Sequence, residues 1–392
     1  DRSGLPTARD FGANYVNSCA PNSIYFCNGD NDTFPIWYNQ EVEGTRTDVR
    51  ACNLSYLSTD WYIDQMKREA YESKPLPISW DRKDYVSGNL DISRVIDHPN
   101  FGGQMPLKTA LELIRLPEFI EDGIGTMFAS TVTVPVNKDQ VLKTGTVKPE
   151  EADKIVDEMS IKLGRSAQKS DLMVLEMINS NNWERPMYFA VTVGEQFYPN
   201  IKEYLQLEGL AYRLVPIKGN AERVNTEVMF DNMMHKFKYG GVDNPNVYLD
   251  ENNLRMCRTF RLMFSELIGA LIKEGKTDKA LEALDYCLKV IPGETVPHDY
   301  TSMLLANYYY ELGKHEQADA LVNNIANQIY ERLDWIASLP SDKRNNLSRE
   351  MSVQQNMGML QQIYYNCSEA KSALTESLRT NFEKYYQVLP IR

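Results

Sequence analysis

The chain has 392 residues, of which 43% are hydrophobic and 24% are charged. This composition is typical of a folded soluble protein, and the length suffices for two or three domains with separate cores. The formal net charge of −12 argues against nucleic acid as a partner, because affinity for nucleic acids depends mostly on Lys and Arg neutralising phosphates. No stretch approaches the roughly 18 apolar residues of a membrane helix.

Cysteine and histidine spacing argues against a structural zinc site. The six cysteines form no C-x-x-C pair, and no histidine has a second one three or four residues later. Six cysteines are also few for a disulfide scaffold of this length, and most lie in apolar runs. We therefore expect buried free thiols.

Strand and helix patterns alternate in the first third of the chain. Residues 23–27 are a short apolar, β-prone run that ends at a cluster of turn formers, and residues 33–42 have the pattern of a helix. A second strand is predicted at 48–54 and a second helix at 60–68. This order predicts a parallel crossover, the unit of a doubly wound sheet.

The middle of the chain continues the α/β pattern. Residues 74–104 are rich in Pro, Gly and Asp and predict a long connection. Helices are predicted at 106–114, 147–163 and 172–178, and strands at 129–136, 187–193 and 212–216. We assign residues 1–245 to an α/β domain with a Rossmann-like parallel or mixed sheet layered with helices.

The pattern is wholly helical from about residue 251. Gly275 and Gly313 each precede a small residue, Ala280 and Ala318, by five positions, so two helical hairpins recur with a spacing of 38. These small residues at fixed offsets resemble the tetratricopeptide pattern, with a four-residue insertion near residues 292–297. Residues 347–388 predict a further, atypical pair. We assign residues 246–392 to a tetratricopeptide-like helical repeat domain.

The familiar motifs for dinucleotide binding, phosphoryl transfer, esterase and zinc-protease chemistry are absent from the sequence. What remains is an Asp-x-Asp pair, Asp30 and Asp32, after the first predicted strand. Carboxylates at the carboxyl end of such a strand can hold a divalent cation or accept hydrogen bonds from sugar hydroxyls. The alternative is that both residues shape a turn and cap a helix at Thr33.

Aromatic residues near this pair suggest a pocket. Trp37 and Tyr38 lie on the helix that follows, and Trp61 lies after the next strand. Aromatic faces beside carboxylates suit a carbohydrate or peptide, although aromatics at helical spacing are often core. The segment 181–186 before a later strand is either a turn containing a structural Arg185 ion pair or the second wall of the same cleft.

Three segments of the chain resemble a known protein family: residues 28–38 (NGDNDTFPIWY), 182–190 (NWERPMYFA) and 208–216 (EGLAYRLVP). With these segments the chain resembles the extracytoplasmic C-terminal part of a bacterial family of multispanning membrane proteins related to protein O-mannosyltransferases. In that family, the soluble part follows membrane helices and often ends in tetratricopeptide-like helices. Residue 1 is Asp rather than Met, which favours a fragment of a longer chain.

The resemblance implies an accessory region on the periplasmic side of the inner membrane that binds an acceptor protein or glycan. No catalytic residue is assigned, because multispanning glycosyltransferases are expected to carry the catalytic acid between membrane helices. No cofactor is assigned beyond a divalent cation at Asp30 and Asp32. The candidate ligand-binding residues are Asp30, Asn31, Asp32, Thr33, Trp37, Tyr38, Asn53, Trp61, Asn182, Trp183 and Arg185.

Two other hypotheses stay open. One is an autonomous metal-dependent sugar-transfer or hydrolytic enzyme that uses Asp30 and Asp32. The other is a purely structural interaction scaffold, in which the α/β part is a spacer and the repeats are an assembly platform.

Overall fold

The computed structural model of the chain describes residues 6–98, 102–219, 223–344, 347 and 352–389. It divides after Lys238. Residues 8–238 form an α/β unit, and the described residues from Tyr239 onward, with residues 6 and 7, form a helical unit. The division lies seven residues before the border predicted at 245.

The α/β unit contains mixed sheets and helices. Its helices are α1 (Thr7–Asn17), α2 (Asp30–Glu41), α3 (Asp60–Met66), α4 (Arg82–Tyr85), α5 (Leu107–Leu113), α6 (Lys138–Lys143), α7 (Lys169–Asn181) and α8 (Thr226–Asp231). Its strands are β1 (Ile24–Cys27), β2 (Arg50–Asn53), β3 (Ile92–Val95), β4 (Gln104–Pro106), β5 (Ile120–Glu121), β6 (Ile124–Met127), β7 (Thr131–Pro135), β8 (Glu158–Lys162), β9 (Ser166–Gln168), β10 (Met187–Ala190), β11 (Leu205–Leu207) and β12 (Ala211–Leu214).

The largest sheet has the strand order β11-β12-β10-β1-β2. β1 pairs in parallel with both β2 and β10, whereas β12 is antiparallel to β10 and β11. The predicted parallel crossover is confirmed, because α2 connects two neighbouring parallel strands. All four residues of β1 are fully buried, as an uninterrupted apolar strand in a sheet covered on both faces should be.

Two smaller sheets lie between α3 and β10 in the chain, with the orders β5-β6-β3-β9 and β4-β7-β8. The helix predicted at residues 147–163 is wrong. Pro149–Lys154 is a short 3₁₀ segment, and β8 pairs antiparallel with β7. In β8, Met159 and Ile161 are buried while Glu158 and Lys162 are exposed, so the period-two alternation of this segment outweighs its helical propensity.

The predicted long connection at residues 74–104 contains two short elements, α4 and β3, and its residues 99–101 lie outside the described part. Six strands, β3, β4, β5, β6, β9 and β11, were not predicted. They are two to four residues long. Four of them, β4, β5, β9 and β11, have only two or three residues, which are too few alternating positions to give a periodic signal.

The core of the α/β unit is formed largely by the central strands. The rings of Phe26 on β1 and Phe189 on β10, partners in the parallel register, stack with centroids 4.8 Å apart. All six cysteines of the chain are buried free thiols, in agreement with the prediction. Burial raises the pKa of Cys27 to about 12, so this thiol is unreactive at neutral pH.

The helical unit comprises α9 (Glu251–Lys273), α10 (Thr277–Val290), α11 (Tyr300–Glu311), α12 (His315–Ser338), α13 (Ser341–Arg344), α14 (Val353–Glu369) and α15 (Thr375–Val388). α9 packs on α10, α11 on α12, and α14 on α15, so the region is built of helical hairpins. Gly275 and Gly313 follow α9 and α11 with φ of 74° and 70°, a conformation that ends a helix readily only at glycine.

The predicted insertion forms an ordered connection between α10 and α11. The guanidinium of the fully buried Arg261 on α9 donates to the carbonyl oxygens of Ile291, Val296 and Pro297. These bonds fix the loop to the helices. In the described part of the chain, no helix combines the length and the hydropathy needed to cross a membrane.

Candidate functional site

The strand order of the largest sheet contains one point at which the chain leaves neighbouring parallel strands in opposite directions. From β1 the chain continues to β2 on one side, and from β10 it continues to β11 and β12 on the other. In open α/β sheets, ligands bind outside the carboxyl ends of the strands at such a switch point. The segments that follow β1, β2 and β10 therefore define the candidate site.

The segment after β1 turns sharply into α2. Gly29 has φ 78° and ψ 166°, backbone angles that are essentially restricted to glycine, and it is the N-cap of α2. The helix therefore begins at Asp30, and the predicted cap at Thr33 is wrong. Thr33 is buried, and its hydroxyl donates to the Gly29 carbonyl oxygen at 2.8 Å and accepts from Asn53 at 2.7 Å.

Asp32 is directed into the protein. It is 6% exposed, and each of its carboxylate oxygens accepts a hydrogen bond. The Tyr15 hydroxyl donates to Oδ1 at 2.8 Å, and the Thr192 hydroxyl donates to Oδ2 at 2.5 Å. Burial, with a smaller contribution from Asp32, raises the pKa of Tyr15 well above its usual value. Asp32 therefore connects α1, α2 and the segment after β10.

Asp30 and Asn31 lie on the surface at the start of α2. Within the described residues, neither side chain has a hydrogen-bond or ion-pair partner. The Asp-x-Asp pair is thus divided, with one carboxylate held inside and one exposed. In the described part of the chain, no three residues of the types His, Cys, Asp and Glu are grouped so that they could hold a metal ion.

Four aromatic side chains beside this segment form a continuous surface, which we call the aromatic surface: Phe34, Trp37, Tyr56 and Trp61. The ring centroids of successive members are 5.8, 6.1 and 6.1 Å apart, and Trp37 and Tyr56 are nearly parallel at 22°. Phe34 and Trp61 are about half exposed, at 49% and 54%. Asp30, Phe34 and Trp37 share one face of α2, because they are spaced by four and three residues.

The sequence pointed to Trp37 and Trp61 but missed Phe34 and Tyr56. The i, i+3 spacing of Phe34 and Trp37 was a usable signal, whereas Tyr56 lies in a 3₁₀ turn after β2 whose position depends on the fold. Tyr38 is exposed, but its hydroxyl donates to Glu43 and its ring is not among the described contacts of the surface.

Asn53 is a buried residue that positions two parts of the candidate site. It is 1% exposed at the end of β2. Its amide donates to the Thr33 hydroxyl, and its Oδ1 accepts from the Tyr56 backbone at 3.1 Å. Asn53 thus fixes the start of α2 relative to the turn that carries Tyr56, rather than facing a ligand.

The residues Asn182, Trp183 and Arg185 lie elsewhere. They precede β10 and are therefore at the amino edge of the parallel strands, opposite to the candidate site. Asn182 and Trp183 form a tight turn with φ of 43° and 62°, and Trp183 is 8% exposed. The two edges are separated by the length of the strands, so this segment is not a second wall of the cleft, and the turn alternative holds.

Arg185 anchors that turn through neutral acceptors rather than through the ion pair that the turn alternative supposed. Its guanidinium donates to five oxygens, those of the Asn22, Ser23, Lys74 and Pro75 carbonyls and the Ser73 hydroxyl. Burial, with a smaller contribution from the cationic Arg50, lowers the pKa of Arg185 to about 10. Arg185 therefore has a structural role.

Comparison with known proteins identifies the α/β unit. Residues 8–232, more than half of the chain, match the family model of TMEM260-associated domain 2, a domain linked to the protein O-mannosyltransferase-like TMEM260 family. The matched range nearly coincides with the unit that the fold defines. No curated protein and no solved structure matches the chain. The chain thus belongs to the family that carries TMEM260-associated domain 2.

Proposed function

We propose that this chain is the accessory region of a membrane glycosyltransferase-like protein related to protein O-mannosyltransferases, and that its α/β unit binds an acceptor protein or its glycan. The region would lie on the periplasmic side of the inner membrane, joined to membrane helices of the parent protein. The family match supports the link to such a protein.

The aromatic surface is the observation that carries the binding role. Aromatic faces pack against the C–H faces of sugars and against apolar peptide side chains, while nearby polar groups fix the ligand's orientation. Here the exposed rings of Phe34 and Trp61 lie at the two ends of the surface. Asp30 and Asn31, unpaired within the described residues, supply acceptors and donors beside it.

We also propose that the α/β unit is Rossmann-like and that the helical unit is a tetratricopeptide-like repeat domain. The β1–α2–β2 crossover is the repeating unit of Rossmann-like sheets. In the helical unit, Ala280 and Ala318 are fully buried at equivalent positions of α10 and α12, which supports a tetratricopeptide-like repeat. Stacked hairpins of this type present a concave face, where a segment of a partner protein would bind.

A binding experiment tests the proposal. The full 392-residue chain is applied to an array of neutral oligosaccharides and Ser/Thr-rich peptides, and the variants Phe34→Ala and Trp61→Ala are compared with it. Trp335→Ala is the matched control, because Trp335 is also about half exposed, at 46%, but lies on α12. We expect the first two variants to reduce binding at least tenfold and the control to leave it unchanged.

Half-exposed aromatics contribute little to the core, so all three variants should keep the far-ultraviolet circular dichroism of the parent chain. Binding that is unaffected by both Phe34→Ala and Trp61→Ala would contradict the proposed site. Binding lost equally in Trp335→Ala would show that the effect is not specific to the aromatic surface.

A further inference from the structure

A cleft lies between three segments of the α/β unit. One wall comes from the end of β8, the connection that follows it and the start of β9, and it includes Ser166. The second is the start of α7 with Asp171, and the third is the segment after β10 with Glu195, Gln196, Tyr198 and Asn200. Its volume is about 200 Å³. We call it the α7 cleft.

The α7 cleft is at the carboxyl edge of the parallel strands. The segment that forms its third wall follows β10 directly, after Thr192, which binds Asp32. α7 leads back through the turn at residues 182–186 to the amino end of β10, so the start of α7 lies at the opposite, carboxyl edge. This is the edge at which α/β sheets place their ligands.

Asp171 offers an unused acceptor in this cleft. Its Oδ2 accepts the Gln168 backbone N–H at 2.8 Å in a capping box. Its other oxygen receives no hydrogen bond from the described residues. Burial raises the pKa of this carboxyl group, as expected for a carboxylate whose charge is incompletely solvated.

Tyr198 offers an unused hydroxyl. The residue is only 9% exposed, and its ring packs on Phe189 with centroids 4.9 Å apart. Within the part of the chain that the structure describes, its hydroxyl has no hydrogen-bond partner. Burial and the nearby Glu195 raise the pKa of Tyr198 to about 12, so the hydroxyl is protonated and can donate.

We infer that the α7 cleft binds a single neutral sugar residue, with the free oxygen of Asp171 and the Tyr198 hydroxyl as its central hydrogen-bonding groups. A sugar ring carries alternating hydroxyl donors and acceptors. Carboxylate, phenol, amide and hydroxyl groups complement them. In the wall of the cleft, Gln196 and Asn200 supply amides and Ser166 supplies a hydroxyl.

The size and charge of the cleft favour this ligand over others. A cavity of about 200 Å³ suits one small polar ring rather than an extended peptide. Of the charged residues in its wall, Asp171 and Glu195 are acidic and Lys162 is basic, so the site is not built for a phosphate. Glu195 is paired with Lys202 at 2.7 Å, which leaves Asp171 as the acidic group of the wall that has no ion-pair partner among the described residues.

This inference rests on the proposed function in one respect, since it takes a glycan as a ligand of the same sheet edge. It adds a second, smaller subsite with its own residues. The aromatic surface would contact an extended acceptor, whereas the α7 cleft would receive one sugar unit.

The test uses the methyl glycosides of mannose, glucose, galactose and N-acetylglucosamine as probes. Binding to the full chain is measured by saturation-transfer nuclear magnetic resonance and calorimetry. We expect at least one glycoside to bind, Asp171→Asn to weaken it at least tenfold, and Tyr198→Phe to weaken it about fivefold. Asp139→Asn, at an exposed acid in the first turn of α6, and Tyr248→Phe, at a 69% exposed tyrosine, are matched controls that should bind normally.

A third variant, Ser166→Trp, fills the cleft from its exposed rim without altering the core. It should abolish glycoside binding while the thermal unfolding midpoint stays the same. Asn at position 171 can still accept the Gln168 N–H, so Asp171→Asn should also fold.

The inference is overturned if no glycoside binds the wild-type chain, if Asp171→Asn and Ser166→Trp bind as the parent does, or if the cleft binds a Lys-rich peptide instead. Its failure is distinguishable from failure of the proposed function. If no glycoside binds but binding to the array still depends on Trp61, only the α7 cleft proposal is rejected. If glycoside binding depends on Asp171 but binding to the array is unchanged in the Phe34 and Trp61 variants, only the aromatic-surface proposal is rejected.

Discussion

Thr192 donates a 2.5 Å hydrogen bond to Asp32 across the point where the segments after β1 and β10 diverge. The two residues are 160 positions apart in the chain, and Tyr15 completes the contact from α1. This bond joins the segment after β1 to the segment after β10. The exposed Asp30 and the aromatic surface belong to the segments after β1 and β2, whereas the segment after β10 forms one wall of the α7 cleft.

The two aspartates should respond very differently to substitution. Asp32→Ala removes the acceptor of two hydroxyls, one of them on the fully buried Tyr15, and should lower the free energy of unfolding by about 2–4 kcal/mol. Asp30→Ala, at an exposed position, should change it by less than about 0.5 kcal/mol. Urea unfolding followed by circular dichroism measures both, and equal effects of the two substitutions would contradict the arrangement described above.

Arg185 should not tolerate replacement by lysine. An ammonium group cannot reproduce the planar fork that reaches five acceptors, so Arg185→Lys should destabilise the α/β unit by about 1–3 kcal/mol. Arg94→Lys is the control, because Arg94 is 55% exposed and lies 3.5 Å from Glu121. The urea midpoint of the control should stay unchanged. A normal midpoint for Arg185→Lys would show that the carbonyl contacts are dispensable.

Gly12 allows α1 to approach α2 closely. A Cβ at this position would lie 2.5 Å from the carbonyl carbon and oxygen of Pro35, which are backbone atoms that cannot rotate away. Gly12→Ala should therefore lower stability by about 1–3 kcal/mol, even though alanine is the better helix former. Gly164→Ala, whose new Cβ would meet its nearest atom at 3.5 Å, should be close to neutral in the same thermal unfolding experiment.

The helical unit should lose stability as the pH falls below neutral. Burial, with the neighbouring Arg261 and Arg332 guanidinium groups, lowers the pKa of His298 to about 3, against about 6.5 for an unfolded histidine. The folded state thus binds this proton more weakly than the unfolded state. The contribution is complete above about pH 6.5 and declines as the pH falls from 6.5 towards 3.

Between pH 7.5 and 5 this histidine should account for a loss of about 2 kcal/mol. Urea unfolding at both pH values is the measurement, and His298→Gln should reduce the pH dependence by that amount. His315→Gln, at an exposed histidine, should retain the dependence of the parent chain. The assignment fails if His298→Gln retains it too.

Much of the fold was predictable because the signals are local. The apolar run of β1, the turn formers after it and the helical periodicity of α7 each lie within a single element. β8 was misassigned because the helix-favouring residues around it obscure its five-residue period-two alternation in the sequence, and its pairing with β7 makes the strand evident. The hairpins of the helical unit were predictable from Gly275 and Gly313, since each glycine ends a helix through its own backbone angles.

The sequence by itself determined that two acidic residues follow a buried strand at the start of a helix, and that aromatic residues lie nearby. Only the tertiary structure decided which carboxylate faces water, because Asp32 is held by hydroxyls from α1 and from the segment after β10. It also places Asn182, Trp183 and Arg185 at the amino edge of the parallel strands, opposite to the candidate site. Local patterns fix periodicity and turns, whereas the direction of a side chain at a sheet edge depends on elements brought together from distant parts of the chain.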